Sequence, residues 1–257
     1  MNKLALIGLG RVGVPLLAAL RKAEYAVDTF TRQQTEMGEH RDLSAYDLAF
    51  LTVPDQELPS LVSGVEHMPR TGVVHTSGQV RNANLGQHVS MFHPVMSFRG
   101  GESAAIFTGC PIGISARDEA LLLLFSVAGR MGARPFEVDE TRKETYHLAV
   151  MFASVFPYIL LLTARELAAE CGIPAHQAAA VLGPIFGQAE RHLAASSPSG
   201  GLTGPVSRGD SATIERHMHV LEAHPQLRKL YRQLTELSIG YAHQPPEIAR
   251  KLAEALT

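Results

Sequence analysis

The sequence predicts an α/β fold in which a doubly wound, mostly parallel sheet is followed by a helical half. Short apolar runs alternate with helix-length segments over the first 140 residues, as in βαβ units. No convincing strand pattern follows residue 141. A glycine-rich turn joins the first apolar run directly to the first helical segment, which is a connection common in this class of sheet.

Seven apolar segments are predicted to form the strands of the sheet. They are rich in Val, Leu, Ile and Phe, and several end at glycine or proline, which stop strands. In chain order they are KLALIGL, YAVDTFT, YDLAFLTVP, TGVVHTSG, HVSMFHPV, CPIGISA and ARPFEVD. Helical segments separate several of them, including PLLAALRKA after the first strand and a stretch from Asp118 to Met131. Right-handed crossovers between parallel strands then give a doubly wound, Rossmann-type sheet.

The second half is predicted to be entirely helical, so the chain divides into domains at 1–140 and 141–257. A long helix is expected from about residue 142 to residue 171, where the sequence CGIP ends it. The next helical stretch is expected to break at Gly183 and Pro184. Further helices are expected from about Ala212 and Pro225, followed by a last one in PPEIARKLAEAL.

Composition indicates which cellular compartment and which kinds of partner to expect. The chain has 257 residues, 46% of them hydrophobic and 19% charged, with a net charge of −2. This balance indicates neither a nucleic-acid partner nor an anionic membrane partner. The two cysteines lie far apart without metal or disulfide spacing, and the N-terminus carries no signal-peptide pattern. We therefore expect a cytoplasmic protein without a metal site.

One uncharged stretch, LAVMFASVFPYILLLTA at residues 148–164, raises the question of a membrane. It is shorter than the roughly 20 residues that a spanning helix needs, and it contains Pro157. A helix that is apolar on every side is also typical of a segment buried in protein. We favour burial between domains or subunits over a membrane span.

Gly8, Gly10 and Gly13 form a Gly-x-Gly-x-x-Gly pattern directly after the first strand and at the start of a helix. In this context the glycines permit a tight turn and close approach of the backbone to a pyrophosphate, which the helix N-terminus then binds. The pattern therefore predicts a dinucleotide site that also includes Arg11 and Val12.

The residues after the second strand indicate which dinucleotide is bound. NAD sites usually place an acid there for the ribose 2′-hydroxyl, but the sequence reads TFTRQQ. Thr31 and Arg32 suit the 2′-phosphate of NADP(H), although Asp28 is the alternative acid if the strand register differs. Val53 and Pro54 end another strand and should border the nicotinamide side of the cofactor.

Polar residues at strand ends and at one helix start are the candidate catalytic groups. His93, in HVSMFHPV, should face the cofactor crevice and could donate a proton to a reduced carbonyl or imine. His75, which lies earlier in its own strand, is interpreted as structural. Lys143, Tyr146 and His147 share one helical face, which indicates either a site or a solvated helix start.

Two motifs carry a resemblance to known families: KETYH at residues 143–147, and LTGPVSRGD at 202–210 with Thr213 and His217 after it. The N-terminal half resembles NADP-binding domains of the family that includes deazaflavin-dependent NADP oxidoreductase, pyrroline-5-carboxylate reductase and prephenate dehydrogenase. The whole chain resembles a bacterial two-domain family whose activity is unassigned. It departs from that family at Val155, where the family helix tends to carry Asn.

The resemblance implies a helical domain that forms a homodimer and a substrate loop over Leu202 to Thr213. Thr203 and Gly204 belong to this loop. Arg208 can hold a carboxylate or phosphate, and Asp210 can either orient Arg208 or cap the next helix. The sequence HPVM at His93 is similar to the catalytic His-Pro-Met of prephenate dehydrogenase, and Ser77 lies where that enzyme has a serine.

Together these features predict an NADP(H)-dependent oxidoreductase that reduces a keto or imino group of a small, anionic substrate. His93 or Lys143 would supply the proton, with Ser77 and His147 nearby, and Lys143 and Arg208 would hold the acid group. Tyr146, Thr203, Gly204 and Asp210 complete the expected substrate site. The alternatives are an NADP(H)-binding sensor or interaction protein without turnover, and a membrane-associated protein.

Overall fold

The computed structural model describes residues 3–195 and 201–257. The chain forms two compact units, of which the first extends to Ile159 and the second spans Leu160–Thr257. The last strand of the sheet ends at Glu137, close to the predicted boundary near residue 140. The sequence changes from mixed structure to helix at the end of the sheet. The division between the two compact units lies further along the chain, inside the helix Val155–Glu170.

The first unit is built on a seven-stranded sheet in the order β2-β1-β3-β4-β5-β6-β7. The first five strands run parallel, β6 is antiparallel to β5, and β7 is parallel to β6. All seven predicted strands are present, which confirms the predicted fold class. Their bounds are β1 Lys3–Ile7, β2 Ala26–Phe30, β3 Leu48–Leu51, β4 Gly72–His75, β5 Val89–Pro94, β6 Pro111–Ser115 and β7 Arg134–Glu137.

Helices cover both faces of this sheet. Side chains alternate along β1, so that Leu4 and Leu6 join one hydrophobic core and Ala5 and Ile7 join another. Burying each leucine contributes about 1.5–3 kcal/mol, so both layers stabilise the sheet. The α-helices of the first unit before the long apolar stretch are α1 Gly13–Lys22, α2 Arg32–Glu36, α3 Leu58–Ser63 and α4 Asp118–Arg130.

The predicted single helix from residue 142 to 171 is wrong, because it is interrupted at Ser154. α5 spans Lys143–Ala153 and α6 spans Val155–Glu170. The Ser154 hydroxyl donates to the carbonyl of Val150 at 2.6 Å, and the backbone of Ser154 leaves the helical region. Pro157 falls in the first turn of α6, where the helix does not need its N–H.

The apolar stretch is exposed within the chain. The segment Glu140–Glu170 is long and apolar enough to cross a membrane by length and composition, and its most apolar window is not buried. Phe152 is 62% exposed, and Leu148 and Tyr158 are similarly accessible. The predicted burial of this segment would therefore need a second copy or another partner. One such helix is weak support for a membrane span.

The second unit contains α7 Ala175–Ala195, α8 Pro205–Arg208, α9 Ser211–Val220, α10 Pro225–Ala242 and α11 Pro246–Glu254. Its core includes Ile214, Met218 and Leu252. The predicted break at Gly183 and Pro184 is wrong, since α7 continues through both residues. Proline removes one backbone donor, and because this side of α7 is exposed, the freed carbonyl can bind water instead.

Candidate functional site

The glycine-rich turn after β1 is held by close backbone packing. Gly8 has a φ of +96°, in the region that favours glycine, and its amide donates to the carbonyl of Phe30 at 3.2 Å. A Cβ at Gly13 would overlap the Gly8 carbonyl oxygen, so glycine is required where α1 packs against the strand. The buried Thr52 hydroxyl donates to the carbonyl of Gly8 and ties this turn to the end of β3.

Gly10 differs from the other two glycines because, in the part of the chain that the structure describes, a Cβ there would meet no close contact. The nearest atom to a Cβ built there is the Thr52 carbonyl oxygen, at 3.9 Å. The side chains of Leu9 and Arg11 on either side are exposed. The open space at Gly10 fits the close approach of a pyrophosphate to the backbone at the N-terminus of α1.

Thr31 and Arg32 lie at the end of β2, where the sequence predicts them to meet a 2′-phosphate. Thr31 caps α2 in a capping box with Gln34. The exposed Arg32 guanidinium pairs with the Glu57 carboxylate at 3.2 Å and lies 3.6 Å from Glu36. The alternative acid, Asp28, lies two residues before the strand end.

Asp28 is already engaged by other side chains. Lys3 approaches its carboxylate at 2.9 Å, and the Tyr46 hydroxyl donates to it at 2.9 Å. Hydrogen bonds from Lys3 and Tyr46 are the main causes that hold the pKa of Asp28 below its usual value. In register with Ala5, Asp28 is inside the paired part of β2 and not at its carboxyl end.

The loops after β3 and β4 are joined by Ser77. Its hydroxyl donates to the Asp55 carboxylate at 2.9 Å and accepts from the amide of Val80 at 3.1 Å. Asp55 directly follows Val53 and Pro54, which lie just after β3 ends at Leu51. The structure therefore places Ser77 where it fixes the shape of the crevice, with its hydroxyl already occupied.

His93 lies at the carboxyl end of β5 and pairs with Tyr146 of α5. The Tyr146 oxygen is 2.7 Å from Nδ1 of His93, and the two rings meet edge to face. Burial, with smaller contributions from the charges of His147 and Lys143, lowers the pKa of His93 to about 4. His93 is therefore neutral at neutral pH.

The tautomer of His93 follows from the hydroxyl of Tyr146. Burial raises the pKa of Tyr146 well above its usual value, so the phenol keeps its proton. Among the residues that the structure describes, His93 Nδ1 is the acceptor within its reach. Tyr146 therefore donates to Nδ1, and the imidazole carries its own proton on Nε2.

Gly78, after β4, brings two imidazoles together. A Cβ there would lie 2.9 Å from Nε2 of His93 and 3.0 Å from Cδ2 of His147. The absence of a side chain thus lets the proton-bearing edge of His93 and the ring of His147 reach the same stretch of backbone. The predicted grouping of His93, Tyr146 and His147 is present in one cluster.

Lys143, on the same helical face, is 0% exposed. Its ammonium donates to the carbonyl of Val80 and approaches Asn82 Oδ1 at 3.5 Å. Burial lowers the pKa of Lys143 to about 8, although Glu140 at 3.9 Å opposes the shift. The ammonium is thus directed into the protein, which corrects the expectation that it holds a substrate acid group.

Asn82 joins this buried lysine to His75. His75 Nε2 lies 2.9 Å from Asn82 Oδ1, and the Asn82 amide donates to the Ser115 carbonyl at 2.9 Å. Burial is the main cause that lowers the pKa of His75 to about 4. This placement agrees with the structural interpretation of His75.

The predicted substrate loop lies in the second unit. Asp210 caps α9 by accepting from the backbone amide and hydroxyl of Thr213 at 3.1 and 2.6 Å, so the capping interpretation holds. Gly204 and Gly209 both have positive φ, and Arg208 is exposed at the end of α8 between them. Thr203 is also exposed. Whether Thr203, Gly204 or Arg208 binds a ligand stays a prediction.

Sequence reasoning missed four residues that shape these sites. Asp55 and Gly78 had a usable signal, since each lies within a few residues of a strand's carboxyl end. Asn82 and Glu57 had none, because their partners Lys143 and Arg32 lie far away in the chain. Among residues 3–195 and 201–257, no group of three or more metal-ligating side chains is close enough to hold a metal ion.

Comparison with known proteins places the chain among Rossmann-type folds. Residues 110–237 match a family described as a domain of unknown function, DUF2520. No curated protein matches the sequence.

Three solved structures are similar over nearly the whole chain. BF3122 from Bacteroides fragilis, a provisional NADP oxidoreductase, has a TM-score of 0.69 at 23% identity and covers 98% of both chains. Pyrroline carboxylate reductase from Plasmodium falciparum, solved with NADP bound, has a TM-score of 0.58 at 12% identity and covers 100% of this chain and 98% of its own. An imine reductase from a Pseudomonas species has a TM-score of 0.58 at 17% identity and covers 99% and 92%. At these identities the likeness establishes the fold.

Proposed function

We propose that the protein is an NADP(H)-dependent oxidoreductase that reduces a keto or imino group. The observation that carries the proposal is the pairing of neutral His93 with Tyr146, 2.7 Å apart, at the sheet edge that also carries the glycine-rich turn. The ends of β1, β3, β4 and β5 share that edge because these strands are parallel neighbours. Ligands of open α/β sheets bind at this edge.

The residues at the glycine-rich turn fit a dinucleotide. The amides from Gly10 to Gly13 would hold the pyrophosphate. Thr31 and Arg32 would bind the 2′-phosphate, which would replace Glu57 as the partner of Arg32. Val53 and Pro54 would border the nicotinamide ribose. When bound, NADPH supplies the hydride. The NADP carried by the similar pyrroline carboxylate reductase supports this choice of cofactor.

His93 is the group that we assign as hydrogen-bond donor to the acceptor, whose proton comes from water. As the Nε2–H tautomer it donates to the oxygen or nitrogen of the acceptor as negative charge develops there. Tyr146 holds Nδ1 and so orients the ring. A neutral imidazole with a lowered pKa is a weak base, which keeps it in the donor form throughout the neutral range.

Lys143 and Ser77 act as positioning residues in this proposal. Lys143 holds the carbonyl of Val80, and Ser77 holds the amide of the same residue. Together they fix the loop that contains Gly78, against which His93 and His147 rest. His147 is the remaining polar side chain beside the donor and would contact the acceptor or its water.

The experiment compares His93→Ala with His219→Ala, a matched change at an exposed histidine of α9. NADPH affinity is measured by fluorescence titration and reduction by NADPH oxidation with keto and imino acceptors. We expect His93→Ala to keep NADPH affinity and to lower the reduction rate at least about hundredfold. Unchanged turnover would remove His93 from the chemistry. NADPH binding without turnover of any acceptor in the wild type would favour the sensor alternative.

We also propose that the protein is a cytoplasmic homodimer in which a second copy covers the exposed apolar side of α5 and α6. Leu148, Phe152, Tyr158 and Ile159 are each at least half exposed, and exposed apolar patches are typical of protein–protein interfaces. Light scattering without detergent should give twice the chain mass, and Phe152→Glu should give the mass of one chain. Recovery in the membrane fraction would support the membrane alternative instead.

A further inference from the structure

A cavity of about 510 Å³, the His93 cavity, lies beside His93 and Tyr146. α5, the strands β6 and β7, and the end of β5 with the loop that follows it all contribute to its walls. Every lining residue belongs to the first unit. Its volume is in the range of small-molecule sites, and the proposed donor forms part of its wall.

The walls of the His93 cavity are mostly apolar. None of its lining residues is Asp, Glu, Lys or Arg. The Tyr146 hydroxyl is bonded to His93, and the Ser154 hydroxyl donates to the carbonyl of Val150. Most of the remaining lining is hydrocarbon, from Val95, Met96, Pro111, Phe136, Ala149 and Val150.

This lining discriminates between charged and apolar ligand groups. A carboxylate placed here would lose its water without gaining a cation, which is unfavourable. Lys143, which the sequence analysis predicted to bind a substrate acid group, is hydrogen-bonded to Val80 and Asn82 instead. An apolar group gains from burial in proportion to the area removed from water. Met96, which is flexible and 44% exposed, can adjust to its shape.

We propose that the His93 cavity binds an uncharged alkyl or aryl substituent attached to the carbon that accepts the hydride. This inference rests on the proposed function and names its substrate class: ketones or imines with an apolar group, in place of the small anionic acceptors expected from the sequence. For a ketone, hydride from NADPH forms the new C–H bond, and the C=O π pair takes a proton from water while the Nε2–H of His93 donates a hydrogen bond to the developing alkoxide. Ketone, NADPH and one proton thus give a secondary alcohol and NADP⁺.

The test uses three methyl ketones that differ in one substituent: acetophenone with phenyl, acetone with methyl and pyruvate with carboxylate. Their binding is measured by calorimetry to the NADP⁺ complex, where no reduction can occur, and in parallel to the protein without cofactor. We expect acetophenone to bind at least about tenfold more tightly than pyruvate, with acetone weaker than acetophenone. Pyruvate binding as tightly as acetophenone, or no binding of acetophenone, would overturn the inference.

Two variants locate the binding in the cavity. Met96→Lys brings a cation to the cavity wall, so it should weaken the binding of acetophenone and strengthen the binding of pyruvate. Leu122→Lys, at a 74% exposed position of α4, should change the affinity for neither ligand. Ala149→Phe should fill the cavity and weaken acetophenone at least about tenfold. Equal effects of Met96→Lys and Leu122→Lys would refute the cavity assignment. If NADP⁺ does not bind at all, the proposed function fails, and the ranking on the cofactor-free protein still decides this inference.

Discussion

Replacing Tyr146 with Phe should change the titration and the tautomer of His93. The lost hydrogen bond is 2.7 Å long and reaches Nδ1 only in the neutral ring. A net hydrogen bond of about 1 kcal/mol corresponds to about 0.7 pKa units, because 1.36 kcal/mol equals one unit. In Tyr146→Phe the pKa of His93 should therefore rise by roughly half to one unit from about 4. The Nδ1–H tautomer should also become populated.

Long-range ¹H–¹⁵N NMR of the histidine side chains measures both quantities without any substrate. In the wild type, His93 should remain the Nε2–H tautomer between pH 5 and pH 8. Tyr158→Phe, a matched change at an exposed tyrosine of α6, should leave its spectrum unaltered. The assignment of Tyr146 as donor is refuted if wild-type His93 carries its proton on Nδ1, or if Tyr146→Phe alters neither the pKa nor the tautomer.

Three further predictions concern cofactor choice, the histidine pair and acid stability. Arg32→Ala should weaken the binding of NADPH about tenfold more than the binding of NADH, and Glu57→Gln should increase the preference for NADPH. Fluorescence titration measures both affinities, and equal effects on the two cofactors would contradict this prediction. Gly78→Ala should displace His93 and lower the reduction rate at least about tenfold with NADPH affinity retained, whereas wild-type turnover would contradict the close approach. Burial lowers the pKa of both His75 and His93 from 6.5 to about 4. The unfolded state then binds more protons across that window, so the free energy of unfolding should fall by up to about 3 kcal/mol per histidine as pH drops from 6.5 to 4. Urea unfolding that is independent of pH in this range would contradict both shifts.

The sheet was predictable from the sequence because its signals are local. Each strand is a short apolar run, and the turn at Gly8, Gly10 and Gly13 has the spacing that its backbone contacts require. The same local reasoning placed Lys143, Tyr146 and His147 on one helical face. It failed at Ser154 and Pro184, where local helix-breaking signals do not decide whether a long helix is interrupted or continues.

The arrangement of the candidate site depends on contacts that no local pattern encodes. Tyr146 and His93 are 53 residues apart, and their pairing requires α5 to pack against β5. Lys143 has the sequence context of a solvated helix start, yet the Val80 carbonyl and Asn82 bury its ammonium. The apolar lining of the His93 cavity likewise comes from several separate segments, so the change in expected substrate class could only come from the structure.

The most direct test of the account is a calorimetric titration of NADPH into the wild type and into Gly10→Val. Because the nearest described atom outside the two neighbouring residues lies 3.9 Å from a Cβ at Gly10, the variant should unfold at the same temperature as the wild type. The wild type should bind NADPH, whereas Gly10→Val, with its side chain in the space for the pyrophosphate, should give no heat. Absence of NADPH binding by the wild type, or equal binding by the variant, would contradict the account.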